Sequence, residues 1–126
     1  MREQLPATVE SVAQARRAVR RFAAGLDVDV EGITLAVSEA VANVVAHAYD
    51  EDEPGVIDLS ASAAPDEVAI VVRDRGRGMD APAARPGAGF GIAIIRRLAE
   101  TVTVDEAGRG VALTMRFRRG GGWSAR

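Results

Sequence analysis

Apolar residues recur at three- and four-residue intervals over residues 8–24, at Val9, Val12, Ala13, Val19, Phe22 and Ala23. That rhythm predicts an amphipathic helix, with Thr8 placed to cap it and Gly25 just past its end. A second helix is predicted from a cap at Asp29 to about Ala48, with Ile33, Val37, Ala40, Val41, Val44 and Val45 on its apolar face. The acidic run 50–53 and Pro54-Gly55 then break the chain. Residues 56–63 and 68–73 read as strands joined by a turn at Pro65-Asp66. Residues 73–91 hold five glycines and two prolines and read as a long loop. A short helix over 92–100 follows, then strands over 101–105 and 111–117 around a turn at 108–110.

The order ααββαββ predicts an α+β domain, a two-layer sandwich with helices on one face of a mixed or antiparallel sheet. At 126 residues the chain is expected to be one domain over 1–118, with a disordered tail at 119–126. Hydrophobic content of 48% marks a folded protein, and a net charge of −2 argues against bulk electrostatic binding to nucleic acid. No cysteine is present, and a single histidine cannot build a multi-histidine metal site. All sixteen basic residues are arginine, which excludes the lysine-dependent P-loop. No apolar run approaches the ~20 residues of a membrane span, and the N-terminus lacks a signal-like apolar stretch, so a cytoplasmic protein is expected.

Three groups of residues carry possible chemistry. On the second helix, Glu39, the only asparagine Asn43 and the only histidine His47 are spaced by four. A four-residue step turns a helix by about 400°, so the three stack on nearly one line. A solvated face is the ordinary explanation, yet asparagine is a poor helix-interior residue and its neighbours are alanine and valine. An amide oxygen suits Mg²⁺ alongside phosphate oxygens, and a carboxylate one turn away can orient or deprotonate a hydroxyl. Second, Asp74-Arg75-Gly76-Arg77-Gly78 ends a strand. A carboxylate there can accept from an exocyclic amine, and glycines let the backbone lie beside a flat ring; an ordinary turn has the same composition. Third, Gly87-Ala88-Gly89-Phe90-Gly91 feeds a helix, a place for anions. The dinucleotide fingerprint fails there, because the spacing differs and no strand precedes it.

Taken in order, these motifs resemble the Bergerat-fold ATP-binding (GHKL, histidine-kinase-like ATPase) superfamily, and within it the small bacterial anti-sigma factors that act as serine-protein kinases. SEAVANVVAHAYD resembles the N box, VVRDRGRGMD the first glycine box and GAGFGIAII the second; the likeness spans about residues 12–117. It implies that Asn43 ligates Mg²⁺ bridging ATP phosphates, and that Glu39 activates the substrate hydroxyl. It implies that Asp74 bonds the adenine amine beside Gly76 and Gly78. Gly87, Ala88, Gly89 and Phe90 would meet the phosphates, with Arg85 able to reach the terminal one. Arg16 resembles a partner-interface position, and His47 a residue that helps end the helix. Two departures stand out. The lid between Gly78 and Gly87 is short, and Val111-Ala112 stand where a threonine usually helps bind adenine, leaving Thr114 as the nearest substitute.

The function implied is an Mg²⁺–ATP-dependent anti-sigma factor and serine kinase. It would sequester a sigma factor, phosphorylate a serine on an anti-anti-sigma (STAS-type) protein and work as a homodimer, with no direct contact to nucleic acid or membrane. Two alternatives remain: a nucleotide-gated binding module without phosphotransfer, favoured by the short lid, and a stand-alone histidine-kinase catalytic domain acting in trans.

Overall fold

The structure, a computed structural model, describes residues 1–49, 55–76, 85–106 and 110–120, with only the backbone over 85–91. Among these residues three helices cover one face of a five-stranded sheet. The helices are α1 (Glu10–Ala23), α2 (Val30–His47) and α3 (Arg85–Leu98); the strands are β1 (Arg2–Pro6), β2 (Val56–Ala63), β3 (Glu67–Asp74), β4 (Thr101–Glu106) and β5 (Val111–Arg118). The sheet order is β1-β2-β3-β5-β4, and every neighbouring pair is antiparallel.

Strand alternation sets the layers. Leu5, Ile57, Leu59, Ala61, Val68, Ile70, Val72, Leu113, Met115 and Phe117 are buried on one face of the sheet. They meet Ala15, Ala18 and Val19 of α1, Ile33, Val37, Val41 and Val44 of α2, and Ile95 of α3 in one core. Each large aliphatic side chain buried there contributes about 1.5–3 kcal/mol. The opposite sheet face carries polar and small residues such as Ser60, Arg73, Thr103 and Arg116.

α2 lies against both α1 and α3 and touches β3. It starts as the sequence predicts, with the Asp29 carboxylate accepting from the Gly32 N–H at 3.0 Å. α1 starts differently. Its N-cap is Val9, with no side-chain cap bond, because the Thr8 carbonyl accepts from Ser11 N–H while the Ser11 hydroxyl donates to the Pro6 carbonyl. Gly25, at φ 85°, ends α1 in the left-handed region.

β1 was not foreseen by the pattern. It is an edge strand in which Leu5 alone is buried, so its sequence lacks the apolar alternation that marks a half-buried strand. α3 begins earlier than expected, at Arg85 rather than Ile92. Pro86 falls in its first turn, where a missing N–H costs nothing. Beyond β5, Arg119 N–H donates to the Asp66 carbonyl and Gly120 N–H to that of Asp27; residues 121–126 of the expected tail lie outside the described residues.

Candidate functional site

The site is built where β3 ends against the last turn of α2. Asp74 shares the helix-covered face of the sheet, since its register partner is Ile57 and Val72 precedes it by two. It is 7% exposed. Burial pushes its carboxyl above the usual range, while hydrogen bonds from the Gly76 and Val111 backbone N–H groups pull it back. The Gly76 bond measures 2.9 Å. A buried acid at a strand end, with acceptor capacity to spare, suits an exocyclic amine.

Glycine is required on both sides of this carboxylate. A Cβ on Gly76 would press on the Ala48 carbonyl, 2.6 Å from its carbon. Gly110 stands at φ 96°, and a Cβ there would lie 2.8 Å from Arg75 Cα. The Asp74–Gly76 turn is therefore docked directly on the C-terminal end of α2.

Glu39, Asn43 and His47 are all half-buried on α2. Among the described residues no hydrogen bond or ion pair engages the Glu39 or Asn43 side chains. Asn43 lies about 7.5 Å along the axis from Ala48, and Glu39 about 6 Å farther. The helix thus presents, in order from the Asp74 turn, an amide and then a carboxylate.

The second glycine motif is arranged differently from the expected loop. Gly87, Ala88, Gly89 and Phe90 are helical in α3. The first N–H groups of a helix lack intrahelical acceptors, so Gly87 and Ala88 can still face an anion. Gly89 and Phe90 lie deeper, where N–H groups bond within the helix. Arg85 opens α3; its side chain and that of Phe90 lie outside the described residues, as does Gly78. Thr114 does not reach this end on the useful face. It pairs with Val71 and Thr103, one residue out of step with Leu113 and Met115, and so lies on the outer face. The backbone of Val111 reaches Asp74 in its place.

Sequence reasoning missed Tyr49, the chain's only tyrosine. Its hydroxyl donates to the Val56 carbonyl at 2.7 Å and accepts from Arg75 N–H at 2.8 Å. A cavity of about 390 Å³ opens at the opposite end of the sheet. Arg116 with Glu67 and Arg118 with Glu100 line it as ion pairs, so its charge is already matched and it is remote from Asp74.

A two-layer domain with a buried carboxylate at a strand end, a glycine pressed on the neighbouring helix and a polar helix line is an arrangement compatible with a nucleotide. The model for the histidine kinase-like ATPase domain matches residues 5–117, and the chain belongs to that family. ATP is accordingly the nucleotide the family implies. An anti-sigma F factor from Clostridium perfringens is 41% identical over 83 residues, covering 64% of this chain and 59% of that protein. The serine-protein kinase RsbW of Oceanobacillus iheyensis is 39% identical over 51 residues, covering 40% of this chain and 32% of the relative. The chain thus spans less than two thirds of the relatives it matches. The crystal structure of the RsbU and RsbW domains of Rv1364c from Mycobacterium tuberculosis superposes with a TM-score of 0.75 at 26% identity, covering 94% of this chain and 31% of that one.

Proposed function

We propose that this chain is an ATP-dependent anti-sigma factor and protein-serine kinase, which holds a sigma factor and phosphorylates a serine on an anti-anti-sigma protein of the STAS type. The observation that carries this reading is the docking of the Asp74–Gly76 turn on the helix that bears Asn43 and Glu39. Base recognition and phosphate handling then share one rigid element. The relatives named anti-sigma F factor and serine-protein kinase RsbW support it.

In this reading Asp74 accepts from the adenine amine, and its buried position excludes competing water. Glu39 receives the proton of the substrate serine as the serine oxygen bonds the γ-phosphorus and the bond to the β-phosphate oxygen breaks, releasing ADP. The donor set fits a single hard cation held partly by substrate. Asn43 offers one amide oxygen, and among the described residues no cluster of three His, Asp or Glu could hold a metal unaided. Mg²⁺ bound to Asn43 and phosphate oxygens would neutralise charge on the transferring group. Gly87 and Ala88 would donate to phosphate at the start of α3, with Arg85 beside them and Gly78 beyond the adenine turn. Gly89 and Phe90 would help shape that end. Arg16, exposed on α1, would face a protein partner. Phosphorylation adds about −1.5 to −2 charge to the partner serine and so expels it.

A homodimer and a cytoplasmic setting go with this reading. Among the described residues no helix is long and apolar enough to cross a membrane. The binding module without phosphotransfer is the second reading, favoured by the few residues, 77–84, between the adenine turn and α3. One experiment separates the two. Labelled ATP is supplied with a STAS-type protein from the same cell, and the chain is compared with its Glu39→Gln variant. The kinase reading expects label on the partner's serine, lowered by about 10²-fold or more in the variant, with ATP binding retained. Tight ATP binding without transfer by either protein selects the binding module.

A further inference from the structure

Ladder geometry at the end of β2 and β3 assigns a role to Tyr49. Residues paired across these strands sum to a constant register, with Ile57 opposite Asp74 and Asp58 opposite Arg73. The next pair outward is Val56 with Arg75. In an antiparallel ladder, hydrogen-bonded pairs alternate with non-bonded ones. Gly55 accepts from Ala7 and Ala61 N–H donates to Met1, so the odd residues of β2 turn their backbone groups to β1 and the even ones to β3. Val56 and Arg75 are therefore due to form the next direct rung. They do not. The Tyr49 hydroxyl stands between them, accepting from Arg75 N–H and donating to the Val56 carbonyl.

We propose that Tyr49 is a positioning residue for adenine: its hydroxyl holds the last rung open and so keeps the Asp74–Gly76 turn pressed on α2. This inference rests on the ATP reading above. Tyr49 follows α2 by two residues. Its ring packs on the Gly55 backbone, where any Cβ would collide with it. One side chain thus ties the end of the Asn43 helix to β2 and to the residue that follows Asp74 at the end of β3. Without the hydroxyl, Arg75 N–H bonds Val56 directly, the strands zip by one rung, and the turn moves toward β2 and away from Ala48. The carboxylate then no longer faces a base whose phosphates are fixed at Asn43.

The test is Tyr49→Phe, titrated calorimetrically with ATP, GTP and inorganic tripolyphosphate, each with Mg²⁺. The expected result is a loss of about tenfold in ATP affinity, the scale of one hydrogen bond. The ATP-over-GTP preference should narrow, and tripolyphosphate affinity should stay at the wild-type value. A merely structural tyrosine weakens all three ligands together, and an irrelevant one changes none; either result overturns the proposal. A wild-type chain that binds neither ATP nor GTP overturns the ATP reading itself, and this inference with it. If Tyr49→Phe does not accumulate folded, 3-fluorotyrosine incorporated in the wild-type sequence labels this position alone. Its ¹⁹F resonance is expected to shift with ADP and not with tripolyphosphate, and a resonance indifferent to ADP overturns the assignment.

Discussion

Replacing Gly76 by alanine tests the docking on which the site depends. The new Cβ would lie 2.6 Å from the Ala48 carbonyl carbon and 3.0 Å from Ala48 Cβ. Carbon atoms pack at about 3.5–4.0 Å, so the turn must withdraw by about 1 Å. Ala48 cannot yield instead, because its N–H is bonded to the Val44 carbonyl at the end of α2. A withdrawal of that size breaks the 2.9 Å bond from Gly76 N–H to Asp74. It also moves the carboxylate from its place opposite α2. A hydrogen bond to a charged group contributes about 1.5–3 kcal/mol. Losing one from the folded protein should lower its thermal midpoint by several degrees, at about 4 °C per kcal/mol. Losing the equivalent bond to adenine should weaken ATP by about one to two orders of magnitude. Calorimetric titration with ATP and thermal unfolding without it read the two losses separately. Gly25→Ala is the control: φ there is 85° with nothing within 4 Å, so that variant should lose stability and keep its affinity. Wild-type affinity and midpoint in Gly76→Ala would show that the turn does not press on α2, and the geometric basis of the site would fall.

The raised Asp74 carboxyl makes ATP affinity fall on acidification from a higher pH than the ordinary value of 3.8 would give, as calorimetry across pH 4–8 would show. The folded chain holds this proton more tightly than the unfolded one, so the favourable contribution exists at low pH and is lost as pH rises through the folded value. Asp74→Asn removes this titrating group, so the fall in stability with rising pH through that window should flatten, while ATP binding is lost; an unchanged pH profile of stability contradicts this. Ile70→Ala, at a fully buried position of β3, should cost about 2–5 kcal/mol in urea unfolding with the slope unchanged.

Much of this arrangement is readable before any coordinates. The valine spacing of α2 fixes which side meets the core, and Glu39 and Asn43 follow as a line off that side. Alternation in AIVV and LTMRF fixes which residues of β3 and β5 face the helices. By the same alternation Thr114 groups with Arg116 and not with Leu113, so its outer placement was available from the residues. β1 was not legible, because an edge strand with one buried residue carries almost no apolar signal. Nor was the start of α3. Glycine costs a helix about 1 kcal/mol per residue, so a glycine-rich run reads locally as loop, and only packing against α2 outweighs that cost.

Tyr49 marks a deeper limit of sequence reading. Nothing in HAYD distinguishes a hydroxyl that caps a helix end from one that interrupts a ladder. Its role exists only because the β2–β3 register brings Val56 opposite Arg75, and because α2 ends within reach of both. The neighbouring β3–β5 register, with Arg73 opposite Ala112, brings a backbone group beside Asp74 where a threonine was expected to help. At φ 96° Gly110 turns the chain so that the Val111 N–H, a backbone group that any residue but proline supplies, reaches the Asp74 carboxylate. The side chains that would touch the base and phosphates are thus chosen by residue type and visible in the string. The groups that aim them are main-chain atoms and one hydroxyl, placed by tertiary pairing. Substitutions at the first kind should abolish binding or transfer outright, whereas those at the second should loosen adenine while leaving the grip on phosphate intact.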